Sequence, residues 1–119
     1  MELKLSDRSL YSISKFLPKL STHSYMNAIV FVGATHSGKS CILHRFIRGS
    51  FEDVAKTIVI EYLTCTSNTN SNTTLKLSIW DTSGQICFRP IVYCYIRYAK
   101  IGVIVFDLND YDSFRLCDY

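Results

Sequence analysis

No apolar run in the chain approaches the ~20 residues that a membrane-crossing helix needs, and the five cysteines, Cys41, Cys65, Cys87, Cys94 and Cys117, form no Cys-x-x-Cys pair. The first absence argues against a helical membrane span; the second argues against a zinc site or a redox dithiol. Thiols scattered without a framework fit a reducing, cytoplasmic compartment. An excess of one charge is missing too, since 13 Lys and Arg stand against 10 Asp and Glu. The net +3 is too mild for a nucleic-acid footprint, so no nucleic-acid partner is expected. His23, His36 and His44 are scattered and point to no metal cluster. Proline occurs only twice and glycine five times, and 48% hydrophobic with 19% charged residues is the composition of an ordinary globular domain. At 119 residues the chain is one domain at most, with a modest core.

The rest is organised around Gly33-Ala34-Thr35-His36-Ser37-Gly38-Lys39-Ser40, a glycine, four free positions and Gly-Lys-Ser. Before it, Ala28 to Val32 is a short continuous apolar run that reads as a strand buried on both faces. After it, Ile42, Leu43, Phe46 and Ile47 recur at helical spacing from Lys39, and Gly49 is the stop. A strand, a glycine-rich loop and a helix N-terminus make an anion cradle, because successive backbone N–H groups and the helix dipole point into one concavity. Phosphate is the expected guest. Lys39 would reach its outer oxygens, and the Ser40 hydroxyl is placed to ligate a bridging Mg²⁺. Cys41, on the first turn of the helix, is either a small packed side chain or a thiol of lowered pKa.

Residues 1–27 are unlike the remainder of the chain. Leu10, Ile13, Leu17 and Leu20 allow a short amphipathic helix broken near Pro18, and a poorly ordered extension is the alternative. Glu2 and Asp7 count against a transit peptide, and no apolar signal core is present. Residues 28–119 carry the domain. Thr57 to Leu63 is rich in β-branched residues and reads as a strand, and the polar tract Ser67 to Thr74 as a hairpin loop. Leu75, Leu77 and Ile79 alternate with Lys76 and Ser78, which predicts a half-buried strand ending in Trp80-Asp81-Thr82-Ser83-Gly84-Gln85. A carboxylate at the C-terminal end of a strand beside a phosphate loop is where open α/β sheets place ligand-binding groups. Asp81 would support the metal, Gly84 would offer a bare N–H to a terminal phosphate, and Gln85 could orient an attacking water. Arg89 to Lys100 suits a helix. Tyr93, Tyr95 and Tyr98 are core and interface residues on this reading, and Gly102 to Asp107 a fully buried strand. Asn109, Asp110 and Asp112 offer an N-cap to a helix starting near Tyr111.

The loop Gly33 to Ser40, Thr57-Ile58 and Trp80 to Gln85, in this order, resemble the first three nucleotide motifs of Ras-superfamily small GTPases. Lys39 to Phe46 and the ungapped stretch Ile79 to Phe114 resemble the Rab branch. The resemblance implies an α/β fold of the P-loop NTPase kind, a Rossmann-like three-layer domain with a mostly parallel sheet, incomplete at its C-terminal part. It implies a switch that binds GTP and GDP with Mg²⁺, hydrolyses GTP slowly and serves vesicle trafficking, in the cytoplasm or peripheral to endomembranes. By resemblance, nucleotide contacts fall to Gly33, Ala34, Thr35, His36, Ser37, Gly38, Lys39, Ser40, Cys41, Thr57 and Gly84, and Phe51 stacks on the guanine. Ser40, Thr57 and Asp81 serve the metal; Lys39 and Gln85 serve catalysis. Effectors, exchange factors and GTPase-activating proteins would read residues 50–60 and 84–97.

The departures from the family pattern are specific. His36 stands where the family has glycine or alanine, Ile86-Cys87 replaces an acidic-basic pair, and the first switch is one residue short. The guanine-reading Asn-Lys-x-Asp motif would lie beyond Tyr119, and Leu116 to Tyr119 is no prenylation signal. Two rival readings stand beside the switch: a non-catalytic relic acting through weak nucleotide or partner binding, and another phosphate-loop enzyme such as a nucleotide kinase.

Overall fold

The computed structural model describes residues 28–51, 54–68 and 74–119. The amphipathic-helix or extension reading of residues 1–27 lies outside the described residues. Four strands form one sheet, β1 (Ala28–Val32), β2 (Ile60–Asn68), β3 (Thr74–Thr82) and β4 (Ile101–Ile104), in the order β2-β3-β1-β4. β1 is parallel to β3 and to β4, while β2 runs antiparallel to β3. The helices are α1 (Lys39–Arg48), α2 (Arg89–Tyr98) and α3 (Tyr111–Arg115), with a 3₁₀ turn at Ile86–Phe88.

The local rules account for the helices. α1 closes on Gly49, at φ 74°, whose N–H donates to the Arg45 carbonyl at 3.0 Å, and Arg45 and Arg48 sit in the last turn, where cations favour the dipole. Pro90 falls in the first turn of α2, where its missing N–H costs nothing. α2 stops at Tyr98, two residues short of Lys100, because Ala99 turns extended (ψ 145°) while its N–H bonds the Tyr95 and Ile96 carbonyls. The Asp110 carboxylate caps α3 by accepting from the Asp112 N–H at 3.1 Å.

One core cluster ties α2 to the sheet. Val30, Val32 and Trp80 meet Val92 and Tyr95, and the Tyr95 ring stands edge-on to Trp80 with centroids 4.2 Å apart. Such a pair adds about 1 kcal/mol beyond its area burial. α1 lies against β3, with Leu43 buried. In β3, Ile79, Trp80 and Asp81 are buried in succession, so both faces of its C-terminal half are covered.

Several strand expectations change. β2 starts at Ile60 and not at Thr57, because its partner β3 ends at Thr82: the ladder opens with Ile60 opposite Thr82, and the Ser83 N–H takes the Val59 carbonyl at 2.8 Å. The hairpin is longer than the polar tract implies, since pairing runs out to Asn68 opposite Thr74; residues 69–73 lie outside the described residues. In β3 the alternation breaks down, with Leu75 exposed and Ser78 buried beside the Tyr62 hydroxyl at 3.0 Å.

The expected strand Gly102 to Asp107 is also shorter and barer than its composition implies. Among the described residues β4 pairs with β1 alone, and Ile101 and Ile104 are each more than half exposed. Val105 gives one last bond to the Val32 carbonyl at 2.9 Å. Asp107 then leaves the sheet: its N–H bonds Ser113 Oγ at 2.8 Å, and its carboxylate accepts from the Asn109 N–H at 2.8 Å.

Candidate functional site

The C-terminal ends of β1 and β3 and the N-terminus of α1 converge on an open cleft of about 210 Å³. One wall is the loop after β1 with the first turn of α1, the other is the segment Val54 to Thr57, and Thr82, Ser83 and Gly84 close it from β3. Two glycines make the approach possible. Gly33 has φ 144°, and a Cβ there would meet the Val105 carbonyl oxygen at 2.0 Å. At Gly84 a Cβ would sit 2.2 Å from the Thr35 nitrogen, so the missing side chain is what lets β3's end lie on the loop.

Lys39 is buried and its Nζ donates back to the loop that precedes it, to the Gly33 carbonyl at 3.1 Å, the Ala34 carbonyl at 2.6 Å and Ser37 Oγ at 3.4 Å. Burial lowers its pKa below the ordinary lysine value; Asp81 and the Cys117 thiol oppose the shift. The ammonium is thus held at the inner end of the cleft by the backbone that would surround a phosphate.

Beside it, three oxygen groups from three segments meet. Ser40 Oγ on α1 donates to Asp81 Oδ2 in a short hydrogen bond and lies 2.9 Å from Thr57 Oγ1, which itself donates to Asp81 Oδ2 at 3.1 Å. Asp81 is fully buried; burial pushes its pKa up, against the hydrogen bonds from Ser40 and Thr57 and the charge of Lys39. Its other oxygen, Oδ1, is buried with no hydrogen-bond donor among the described residues. A buried carboxylate oxygen without a donor, next to two hydroxyls, is a hard-oxygen set that fits Mg²⁺. No cluster of three or more His, Cys, Asp or Glu side chains suited to a metal occurs among the described residues.

The other candidate residues divide. Thr35, His36, Gly38, Cys41, Thr57 and Gly84 line the cleft with Lys39 and Ser40. Gly33, Ala34 and Ser37 belong to the loop but face Lys39 through the bonds above. Phe51 stands outside, three-quarters exposed, with the Arg45 guanidinium 5.4 Å from its ring centre. Gln85 is also outside the lining: its N–H bonds Ser83 Oγ at 3.4 Å, and its side-chain oxygen accepts from Cys87 Sγ at 3.7 Å. Of the tyrosines, Tyr95 is core and Tyr98 is exposed.

Several neighbours of the site carry no sequence signal. Lys56 lines the cleft one residue before Thr57. The Tyr119 hydroxyl donates to the Gly33 carbonyl at 3.4 Å across 86 positions, and the Arg89 guanidinium lies 4.9 Å from the Tyr119 ring centre while bonding the Leu116 carbonyl. No helix among the described residues is long and apolar enough to cross a membrane.

Comparison with known proteins gives the same frame. Residues 28–118 match the model of the Ras family. GTP-binding protein ypt4 of Schizosaccharomyces pombe is 36% identical over 98 residues, 79% of this chain and 42% of that protein. Ras-related protein Rab-1D of Dictyostelium discoideum is 40% identical over 93 residues, 77% of this chain and 45% of that protein. Ras-related protein Rab-4B of Homo sapiens is 34% identical over 95 residues, 79% of this chain and 44% of that protein. The chain therefore spans less than half the length of these relatives. With the loop, the metal-type oxygen cluster and the mostly parallel sheet lying inside the matched span, the chain belongs to the Ras family and is Rab-like in sequence.

Proposed function

We propose that residues 28–119 are part of a Rab-like small GTPase domain that binds GTP and GDP with Mg²⁺ and hydrolyses GTP slowly, in the service of vesicle trafficking at the cytoplasmic side of endomembranes. The observation that carries this reading is the meeting of Ser40 Oγ, Thr57 Oγ1 and Asp81 Oδ2 within hydrogen-bond reach beside the buried Lys39 ammonium. Ser40 and Thr57 would hold Mg²⁺ directly, and Asp81 would support it. Bound there, the ion would neutralise the charge that builds on the β- and γ-phosphates.

The chain's own residues supply positioning. Lys39 turns from the Gly33 and Ala34 carbonyls to the outer phosphates, and the Gly84 N–H approaches the terminal one. Gln85 reaches the attacking water only once residues 84–97 rearrange, since its side chain stands outside the cleft. Intrinsic hydrolysis is slow on this account, and a partner supplies any arginine that speeds it. Residues 50–60 and 84–97 are the surfaces that effectors, exchange factors and activating proteins would read.

A second reading is a non-catalytic relic, favoured by the Gln85 side chain standing outside the cleft lining, bonded to Cys87 Sγ. Calorimetric titration of the chain with GDP and with ADP, in Mg²⁺, separates the two. Micromolar or tighter binding of GDP alone, abolished by Lys39→Ala, is the expected result; equal weak binding of both nucleotides leaves only the relic.

A further inference from the structure

Among the described residues the cleft lining carries three basic side chains, His36, Lys39 and Lys56, and no carboxylate. Their placements differ. Lys39 is buried and bonded to loop carbonyls at the inner end. His36 sits on the loop wall in the left-handed region (φ 64°), a conformation uncommon outside glycine. Lys56 comes from the opposite wall, exposed, and makes no ion pair or hydrogen bond among the described residues. Its neighbour Thr57 is anchored to Ser40 and Asp81, so the backbone of Lys56 is held at the mouth of the cleft.

We infer that Lys56 is a specificity-determining residue for phosphate number: its ammonium reads the outermost phosphate of a nucleoside triphosphate and makes the cleft prefer triphosphate over diphosphate. This rests on the nucleotide reading given above. The metal-type hydroxyls of Ser40 and Thr57 and the Lys39 ammonium meet at the inner end of the cleft and would hold there the β-phosphate that both nucleotides carry. An added outer phosphate then extends toward the mouth, where a flexible four-carbon stem can carry a point charge onto it. A diphosphate ends short of that point, so Lys56 contributes little to its binding. His36 is on the loop side, beside the phosphates that both nucleotides share, and does not discriminate between them.

The test is the ratio of affinities for GTPγS and GDP, measured by calorimetry in Mg²⁺ for the wild-type chain, Lys56→Ala, Lys56→Arg and His36→Asn. Lys56→Ala is expected to weaken GTPγS about tenfold, the scale of one charge-assisted hydrogen bond in a partly open site, with GDP changed less than about twofold. Lys56→Arg should restore most of the ratio, and His36→Asn should move both affinities together. Because Lys56 is exposed, its truncation is not expected to unfold the protein, and circular dichroism of each variant verifies this. Binding of both nucleotides with a ratio that Lys56→Ala leaves unchanged, or a parallel loss of both, overturns the assignment alone. Failure of the wild-type chain to bind either nucleotide overturns the nucleotide reading and this inference with it.

Discussion

The two walls of the cleft are held in different ways. The loop wall is fixed by main-chain geometry: Gly33 is wedged against the Val105 carbonyl, Gly84 lies on Thr35, and the Lys39 ammonium ties three loop groups together. Among the described residues the facing wall, Val54 to Val59, has no strand pairing of its own and hangs from one hydroxyl, that of Thr57, and from the Val59 carbonyl. The contrast teaches that the loop half of the site is preformed and the other half is conditional. A segment tethered by a few bonds can be ordered or released by what binds beside it.

The largest effect should come from breaking the preformed wall. Gly33→Ala places a methyl group 2.0 Å from a backbone oxygen at a φ that L residues seldom adopt, and a loss of about 3 kcal/mol in urea unfolding is expected. An unchanged urea midpoint would contradict the packing described at Val105. Lys39→Ala comes next. It removes the cation bonded to two carbonyls, and nucleotide affinity should fall by about 100-fold or more, read by calorimetry, while the fold survives.

Thr57→Val should sharpen the comparison, because it cuts the tether of the conditional wall and leaves the other wall alone. Hydrogen exchange of residues 54–59 should speed up while that of 33–40 stays as it was, at a cost of about 1 kcal/mol. Equal acceleration on both walls would mean that they are mechanically one unit.

Removal of Mg²⁺ gives a further, smaller signal. Burial raises the Asp81 pKa above the ordinary 3.8, so the stability linked to this group is present at acid pH and is lost as pH rises through the folded-state value. In chelator, the wild-type chain should therefore lose stability relative to Asp81→Asn as pH is raised from about 4 toward neutrality. A difference between the two that stays constant with pH would rule out a buried, unsatisfied carboxylate. Phe51→Ala should do least. The ring is exposed and touches the Arg45 guanidinium, an exposed contact of about 0.5 kcal/mol, so thermal unfolding should barely move.

The preformed wall is also the part legible in the sequence. β1, the loop and α1 follow from an apolar run, fixed glycines and helical spacing, all of them local signals, and the observed bounds Ala28–Val32 and Lys39–Arg48 agree with them. The placing of Asp81 at the end of β3 comes from strand patterning plus the rule for open α/β sheets. What is not legible depends on partners far along the chain. The start of β2 at Ile60 is set by where β3 ends, and the contact of Tyr119 with Gly33 by packing across 86 positions. Lys56 escapes notice for a related reason: nothing in its composition distinguishes a surface lysine from one at the mouth of a cleft. Leu75 and Ser78 illustrate the same limit, since alternation reports a face only where the sheet is covered on one side.

The chain has a single tryptophan, and it is buried between the sheet and a helix that the proposed switching would move. Trp80 precedes Asp81 in β3 and meets the Tyr95 ring of α2 edge-on. Its emission therefore reports, without any label, on the environment shared by the metal-type cluster and the helix after the 84–88 segment. A nucleotide that repositions α2 would change the wavelength and the quenching of one well-defined fluorophore. The protein thus carries a built-in optical reporter at the joint between ligand and rearrangement.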